Sequence, residues 1–178
     1  GNLSTNISVK ANNRGFWIFD NGSFGFWGEM LDYAVIGART PESNQYSGAA
    51  YVIQEGNAGN LHYELGTRFE YVYSRPDEER TSARIGFLEQ RQFTALASSA
   101  SMIYGFTDDL FLGTTVIHSF RPPSLEELYS EGPHLAAYSF EIGNPQLDAE
   151  RGLGLELFLR YNTNRIQTQF TGYSNRFS

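Results

Sequence analysis

Apolar and polar residues alternate over unusually long stretches of this chain. Between residues 60 and 75, one face of an extended strand would carry Leu61, Tyr63, Leu65, Thr67, Phe69, Tyr71 and Tyr73. The other face would carry His62, Glu64, Gly66, Arg68, Glu70 and Ser74, with Val72 as an apolar exception. This alternation lasts roughly three times longer than the usual strand of about five or six residues. Residues 152–162 repeat it with alternate leucines, although Phe158 falls on the polar side. Such strands are typical of proteins that cross a bilayer with tilted strands.

The connections between the predicted strands alternate between short and long. Short turns at 55–59, 107–109 and 162–164 alternate with long connections at 13–43, 76–90 and 121–151. Outer-membrane barrels have short turns on one side and long loops on the other. The pattern therefore predicts an all-β, antiparallel, up-and-down transmembrane β-barrel whose strands alternate up and down from the first. Seven strands are predicted, or eight to nine if 16–27 forms a hairpin, at 2–12, 44–55, 60–75, 91–106, 110–120, 152–162 and 166–173.

Composition narrows the function classes. The net charge of -7 argues against a nucleic-acid partner, which needs a basic surface. The absence of cysteine excludes a disulfide scaffold, a thiolate metal site and a cysteine nucleophile. The 14 Phe, 11 Tyr and 18 Gly favour β-structure. The aromatic residues of the first long connection predict an aromatic girdle, a loop core or a ligand platform, and they are Phe16, Trp17, Phe24, Phe26 and Trp27.

The long connection 121–151 carries the most specific local signals. Pro122 and Pro123 end the preceding strand, because proline cannot donate to the ladder. Ser124 followed by Glu127 is a capping box, which predicts a short helical turn through Tyr129. Gly132-Pro133 and Asn144-Pro145 are turn signals. These features indicate a structured surface loop.

The same connection resembles TonB-dependent outer-membrane receptors, which carry a similar FRxPSxxELY element, an Asn-Pro pair, a leucine and an acidic residue. The matching positions, which we interpret as structural, are Phe120, Arg121, Pro123, Ser124, Glu127, Leu128, Tyr129, Asn144, Pro145, Leu147 and Glu150. The segments 63–71 and 170–178 also resemble strands of this family, so the resemblance covers most of the chain.

The resemblance implies that residues 1–178 are a segment of a 22-stranded receptor barrel. The plug domain and the closing C-terminal strands are expected to be absent from this segment. A receptor of this kind lies in the bacterial outer membrane, surrounded by lipid. It would take up an extracellular metal or metal complex (zinc, haem or a siderophore) with energy from the TonB system, which acts through the plug.

The resemblance and the residue types suggest a ligand site in the same connection. Imidazole suits zinc, copper and iron, so His134 is the first candidate metal ligand and His118 the second. Nearby carboxylates that could complete a site are Glu131, Glu141, Asp148 and Glu150. The candidate ligand contacts are Arg121, Tyr129, His134 and Glu141. The alternative is that His134 is a structural loop residue and that His118 fills the barrel wall. No intrinsic cofactor is expected beyond a transported metal or haem.

Other function classes remain as alternatives. No catalytic motif is present, and the carboxylate pairs 108–109 and 126–127 are explained by a turn and by capping, so no enzyme activity is expected. A lipid hydrolase or acyltransferase barrel would need a serine or histidine constellation that the sequence lacks. A complete small eight-stranded barrel with a structural or adhesive role is the main alternative. A soluble β-sandwich is disfavoured because its long aromatic faces would need a second sheet to cover them.

Overall fold

The computed structural model describes residues 2–34, 41–77, 81–82, 84–134 and 138–178. These ranges contain twelve β-strands and one short α-helix. In chain order the elements are β1 (Asn2–Arg14), β2 (Asn21–Tyr33), β3 (Ser43–Ala58), β4 (Leu61–Pro76), β5 (Thr81–Ser82), β6 (Gly86–Phe87), β7 (Arg91–Gly105), β8 (Leu110–Arg121), α1 (Leu125–Tyr129), β9 (Glu131–His134), β10 (Ser139–Ile142), β11 (Glu150–Asn162) and β12 (Gln167–Phe177). In the part of the chain described here, no helix is long and apolar enough to cross a membrane.

Eight long strands form one antiparallel sheet in the order β1-β2-β3-β4-β7-β8-β11-β12. Each of these long strands pairs with the long strand before it and the long strand after it in the chain, as expected for an up-and-down barrel wall. The sheet is open, with β1 and β12 at its two edges. The all-β antiparallel prediction is confirmed, and the strand count is eight.

The first long connection was predicted wrongly. Residues 13–43 do not form one loop, and 16–27 does not form a hairpin: a short turn at 15–20 leads into the full-length strand β2. Because β2 is antiparallel to both neighbours, β1 runs parallel to β3. The predicted direction of the first strand was therefore also wrong. Short and long connections still alternate, since β2 and β3 are joined on the long-loop side.

The strand registers divide the sheet into an apolar face and a polar face. Side chains on the apolar face are largely exposed and include Leu3, Ile7, Val9, Phe24, Phe26, Leu65, Phe69, Leu96, Met102, Val116, Leu153, Leu155, Leu157 and Phe170. Charged, polar and small side chains dominate the other face, among them Lys10, Glu29, Glu64, Arg68, Glu70, Ser99, Ser101, Glu156 and Arg160. So much exposed apolar surface is typical of a sheet that faces lipid.

Val72 and Phe158, which interrupt the alternation of β4 and β11, lie on the polar face and have packing partners. Val72 is buried beneath α1 at the long-loop end of the sheet. Phe158 lies over Gly113, where an added Cβ would come within 2.2 Å of its ring. The guanidinium of Arg160 lies 5.0 Å from the Phe158 ring centroid. A glycine at position 113 therefore makes room for an aromatic ring against the sheet.

Candidate functional site at the long-loop end

Two described parts of the connection 122–149, helix α1 and the segment of Leu147 and Ala149, pack over the polar face. Helix α1 buries Leu125, Leu128 and Tyr129. These side chains meet residues of the sheet and of the preceding long connection in one cluster, the loop core, formed by Tyr33, Val72, Leu88, Phe93, Leu125, Leu128 and Tyr129. Burial of apolar area stabilises this arrangement at about 25 cal/mol per Å². The loop core thus closes part of the polar face at the long-loop end.

Helix α1 has the predicted capping box. The N–H of Glu127 donates to the Ser124 hydroxyl at 3.2 Å, and the Glu127 carboxylate accepts from the Ser124 N–H at 2.8 Å. The hydroxyl of Tyr33 donates to the carboxylate of Glu126. A five-residue helix is too short to be stable in isolation, so its capping and its packing hold it in place.

Arg121 connects this helix to both neighbouring strands. Its Nη1 and Nη2 donate to the two carboxylate oxygens of Glu127 at 3.0 Å each. Its Nε donates to the carboxylate of Glu150, the first residue of β11, at 2.9 Å. Hydrogen bonds from Arg121, and next from the backbone of Ser124, lower the pKa of Glu127 to about 2. The carboxylate is therefore ionised at neutral pH and its oxygens are occupied.

Tyr129 fastens α1 to the other long connection. Its side chain is fully buried, and its hydroxyl donates to the carbonyl of Glu89 at 2.8 Å. Burial raises the pKa of Tyr129 to about 12, because the charged phenolate would lose its hydration. The neutral tyrosine thus acts as a buried hydrogen-bond donor between the two connections.

The Asn-Pro segment of the motif is held by Arg91 at the start of β7. Its Nη1 donates to the carbonyl of Pro145, and its Nη2 donates to the carbonyl of Leu147 at 2.9 Å. Asn144 shapes the turn, since its side-chain oxygen accepts from the N–H of Gln146 at 2.9 Å. Leu147 packs against the loop core. Each part of the motif therefore fixes the path of the loop.

A second set of contacts joins the β5–β6 hairpin to the β9–β10 hairpin. The hydroxyl of Ser82 donates to the carboxylate of Glu131 at 2.7 Å. Arg84 lies 4.0 Å from the same carboxylate, and its guanidinium is 4.8 Å from the ring centroid of Phe140. The connections 77–90 and 122–149 thus meet at their hairpins as well as in the loop core.

Comparison with known proteins identifies the family. The sequence profile described as "TonB dependent receptor-like, beta-barrel" matches residues 2–178. The chain belongs to this family. Its fold is also similar to that of a solved structure named "Copper transporter OprC", with a TM-score of 0.74 and 17% identity. That match covers 97% of this chain but only 29% of the copper transporter, and at this identity it shows the fold alone. TonB-dependent receptors are outer-membrane receptors and transporters.

The structure of this member of the family places the predicted ligand contacts in different environments. Arg121 is engaged with two carboxylates, and Tyr129 is buried, so a ligand could reach the Tyr129 ring only if α1 moved. Glu141 lies in β10 opposite Gly132 and has interactions of its own. The backbone of His134 ends β9, but its side chain lies outside the described part of the structure. Their role in binding remains a prediction.

His118 lies on the apolar face of the sheet. It stands opposite Ser98 and Leu153 in the register, and its Nδ1 is 3.0 Å from the carbonyl of Leu96. The loop core packs on the opposite face. His62 lies at the short-turn end, where its Nδ1 is 3.1 Å from the side-chain oxygen of Asn57. Among the side chains that the structure describes, no group of three or more His, Asp or Glu residues could hold a metal ion.

The polar face has a concave cavity of about 510 Å³ that sequence reasoning missed. Small side chains at every second position of β7 leave this space empty. Arg68 and Glu70, which also line the cavity, form an ion pair with a nitrogen–oxygen distance of 2.8 Å. The guanidinium of Arg68 also lies 5.3 Å from the ring centroid of Trp27. The available signal was the run of small residues that share this face, namely Ala95, Ala97, Ser99 and Ser101.

Proposed function

We propose that this chain forms part of the barrel wall of an outer-membrane receptor that takes up a metal or metal complex with energy supplied through TonB. The observation that carries the proposal is the family match over residues 2–178. The open sheet supports it, because an apolar face can contact lipid while the polar face lines an interior. The role is transport and not catalysis, and the location is the bacterial outer membrane.

In this proposal residues 1–178 are a segment of a larger barrel, whose plug and remaining strands belong to other parts of the receptor. The chain spans 29% of the copper transporter that it resembles. The two edges of the sheet, β1 and β12, would pair with further strands, since unpaired edges within a bilayer leave backbone groups unsatisfied. The polar face and its cavity would then face the plug.

The substrate class rests on residue chemistry. His134 lies on the β9–β10 hairpin at the long-loop end, and imidazole binds zinc, copper and haem iron. The protein with the similar structure is named as a copper transporter, which is a statement about that protein. Zinc, haem and siderophores remain the proposed substrates here, with Arg121, Tyr129 and Glu141 as further candidate contacts.

A metal-binding experiment tests the substrate proposal. We expect His134→Ala to weaken binding of zinc or haem to the full-length receptor, as measured by isothermal titration in detergent. His62→Ala is the matched control, because His62 lies at the opposite end of the sheet. Unchanged affinity for both ligands in His134→Ala would remove His134 from the proposed site.

A complete small barrel is the second candidate, favoured by the count of eight long strands. Eight is the smallest number with which single-chain bacterial barrels close. The two candidates differ in the mass of the native product, which an antibody against this chain would report in an outer-membrane fraction. A band near 20.0 kDa would support the small barrel and contradict the receptor, whereas a band several times larger would support the receptor.

A further inference from the structure

The turn between β1 and β2 differs from the other short turns of the sheet. Its residues Phe16, Trp17, Ile18 and Phe19, here called the aromatic turn, are apolar. Trp17 is 89% exposed and Phe16 is 62% exposed. The other short turns are mainly polar, with at most one apolar residue each, and consist of Gly59-Asn60, Phe106-Thr107-Asp108-Asp109 and Thr163-Asn164-Arg165-Ile166. A cluster of large apolar side chains is thus displayed at one point of the short-turn side.

The backbone of the aromatic turn is fixed in an unusual conformation. The N–H of Gly15 donates to the carbonyl of Asp20 at 2.7 Å, and the N–H of Phe19 donates to the carbonyl of Phe16 at 3.1 Å. A Cβ at position 15 would lie 1.7 Å from the Phe19 carbonyl oxygen, so the tight closure requires glycine. Trp17 has a φ of 60°, which bulky residues rarely adopt. Residues held in such sparsely populated backbone conformations are concentrated at functional sites.

The aromatic turn leans towards the apolar face of the sheet. The Phe19 ring lies 5.9 Å from the ring of Tyr63, in an edge-on arrangement. The hydroxyl of Tyr63 donates to the carbonyl of Ile18. Tyr63 lies on the apolar face, because it is two residues from both Leu61 and Leu65 along β4 and therefore shares their face. The turn therefore continues the surface that the proposed function places in lipid.

Other aromatic residues mark the same end of the apolar face. Tyr104 at the end of β7 lies opposite Leu61 in the register, and its ring is 5.0 Å from that of Phe106. Tyr161 at the end of β11 is also half exposed on this face. Tryptophan and tyrosine favour the membrane–water interface, because they combine an apolar ring with a polar group.

We propose that the aromatic turn is a membrane anchor, with Phe16, Trp17 and Ile18 inserted among the phospholipid headgroups on the short-turn side of the barrel. The proposal rests on the proposed function, since it requires the apolar face to lie in a bilayer. Lipid is favoured over a protein partner because the turn is continuous with the lipid-facing surface and with its aromatic band. Tyr63 is the positioning residue, since it holds the turn against that face.

Tryptophan fluorescence tests the anchor in the full-length receptor reconstituted into phospholipid vesicles. The emission of Trp17 is obtained as the difference between the native receptor and Trp17→Phe. Vesicles made with lipids brominated high on the acyl chain should abolish most of this difference, and deeper bromines should quench it less. Trp27→Phe provides the matched control, because Trp27 lies beside Arg68 on the polar face. The emission of Trp27, obtained as the corresponding difference, should be quenched by neither of the two brominated lipids.

A tryptophan placed in the middle of the apolar face separates the two proposals. Leu157→Trp on β11 should be quenched most by the deeper bromines, and Leu155→Trp serves if the first variant fails to fold. Quenching of the added tryptophan without quenching of Trp17 would overturn the anchor and leave the receptor proposal standing. No quenching of the added tryptophan would overturn the membrane location itself, and the anchor with it.

Discussion

Arg121 binds both carboxylate oxygens of Glu127, with two nitrogen–oxygen distances of 3.0 Å. Its remaining Nε binds Glu150 at 2.9 Å. One side chain, that of the last residue of β8, therefore binds both helix α1 and the first residue of β11. Two parallel bonds from a guanidinium to a carboxylate fix orientation as well as distance. This contact determines how the connection 122–149 leaves and re-enters the sheet.

Arg121→Lys should loosen this connection without unfolding the sheet. A lysine ammonium cannot make the same planar pair of bonds and reach Glu150 as well. Since Arg121 is 55% exposed, solvent screening limits the expected loss to about 1 kcal/mol or less. The rate at which proteinase K cleaves the connection in the full-length receptor measures the change. Arg151→Lys is the control, because Arg151 makes no ion pair with any described residue. Equal cleavage of both variants would refute the role of Arg121.

The contribution of Glu127 to stability should depend on pH. Its folded pKa of about 2 is below the ordinary value of 4.5, so folding favours the ionised form. The stabilisation is fully present above pH 4.5 and is lost as the pH falls towards 2. The difference in melting temperature between the native receptor and Glu127→Gln should shrink over this range. A difference that stays constant from pH 6 to pH 2 would contradict this account.

Tyr129→Phe should weaken the contact between the two long connections. The substitution keeps the buried ring but removes the hydroxyl that donates to the Glu89 carbonyl at 2.8 Å. Loss of one such bond costs about 1 kcal/mol. Hydrogen exchange of residues 84–91 and 122–134 in the full-length receptor should therefore become faster. Tyr138→Phe is the matched control, because Tyr138 is 99% exposed and its substitution should change nothing. The same acceleration in both variants would show that the buried bond is irrelevant.

Ser82 and Glu131 should be energetically coupled, because the serine hydroxyl donates to the carboxylate at 2.7 Å. A double-mutant cycle with Ser82→Ala and Glu131→Gln, read by proteinase K cleavage of both hairpins, gives the coupling. For a partly exposed pair we expect about 0.5–1 kcal/mol. Glu89→Gln replaces Glu131→Gln in the control cycle, since Glu89 has an exposed side chain in the same connection as Ser82. Additive effects of Ser82→Ala and Glu131→Gln would show that the two hairpins move independently.

The strands that were predicted correctly and the one that was missed differ in what covers their polar face. Most of β4 and β11 alternates cleanly, since one side belongs to the exposed apolar face and the other to the polar face. Strand β2 breaks the alternation because Leu31 and Tyr33 lie on the polar face and pack with α1. Val72 interrupts the alternation of β4 for the same reason, because it also packs with α1. A period-two pattern cannot reveal burial against a loop that lies about 90 residues away along the chain.

The candidate site was also predicted only in part. The capping box and the acidic Glu150 could be predicted, because they depend on local spacing and on a family motif. The partners of Arg91 could not, since Pro145 and Leu147 reach it only after the connection has folded back. The burial of Tyr129 could not be predicted either, because the motif shows only that an aromatic residue stands at this position.

The sequence by itself determined the fold class and the alternation of short and long connections, because side-chain alternation and turn residues act locally. Its motif in the connection 121–151 also indicated the family. Only the tertiary structure decided the number and direction of the strands, the inward fold of the connection 122–149 and the exposure of the aromatic turn. These features depend on which face each distant segment covers. That choice depends on burial and hydrogen bonding between residues far apart in the chain.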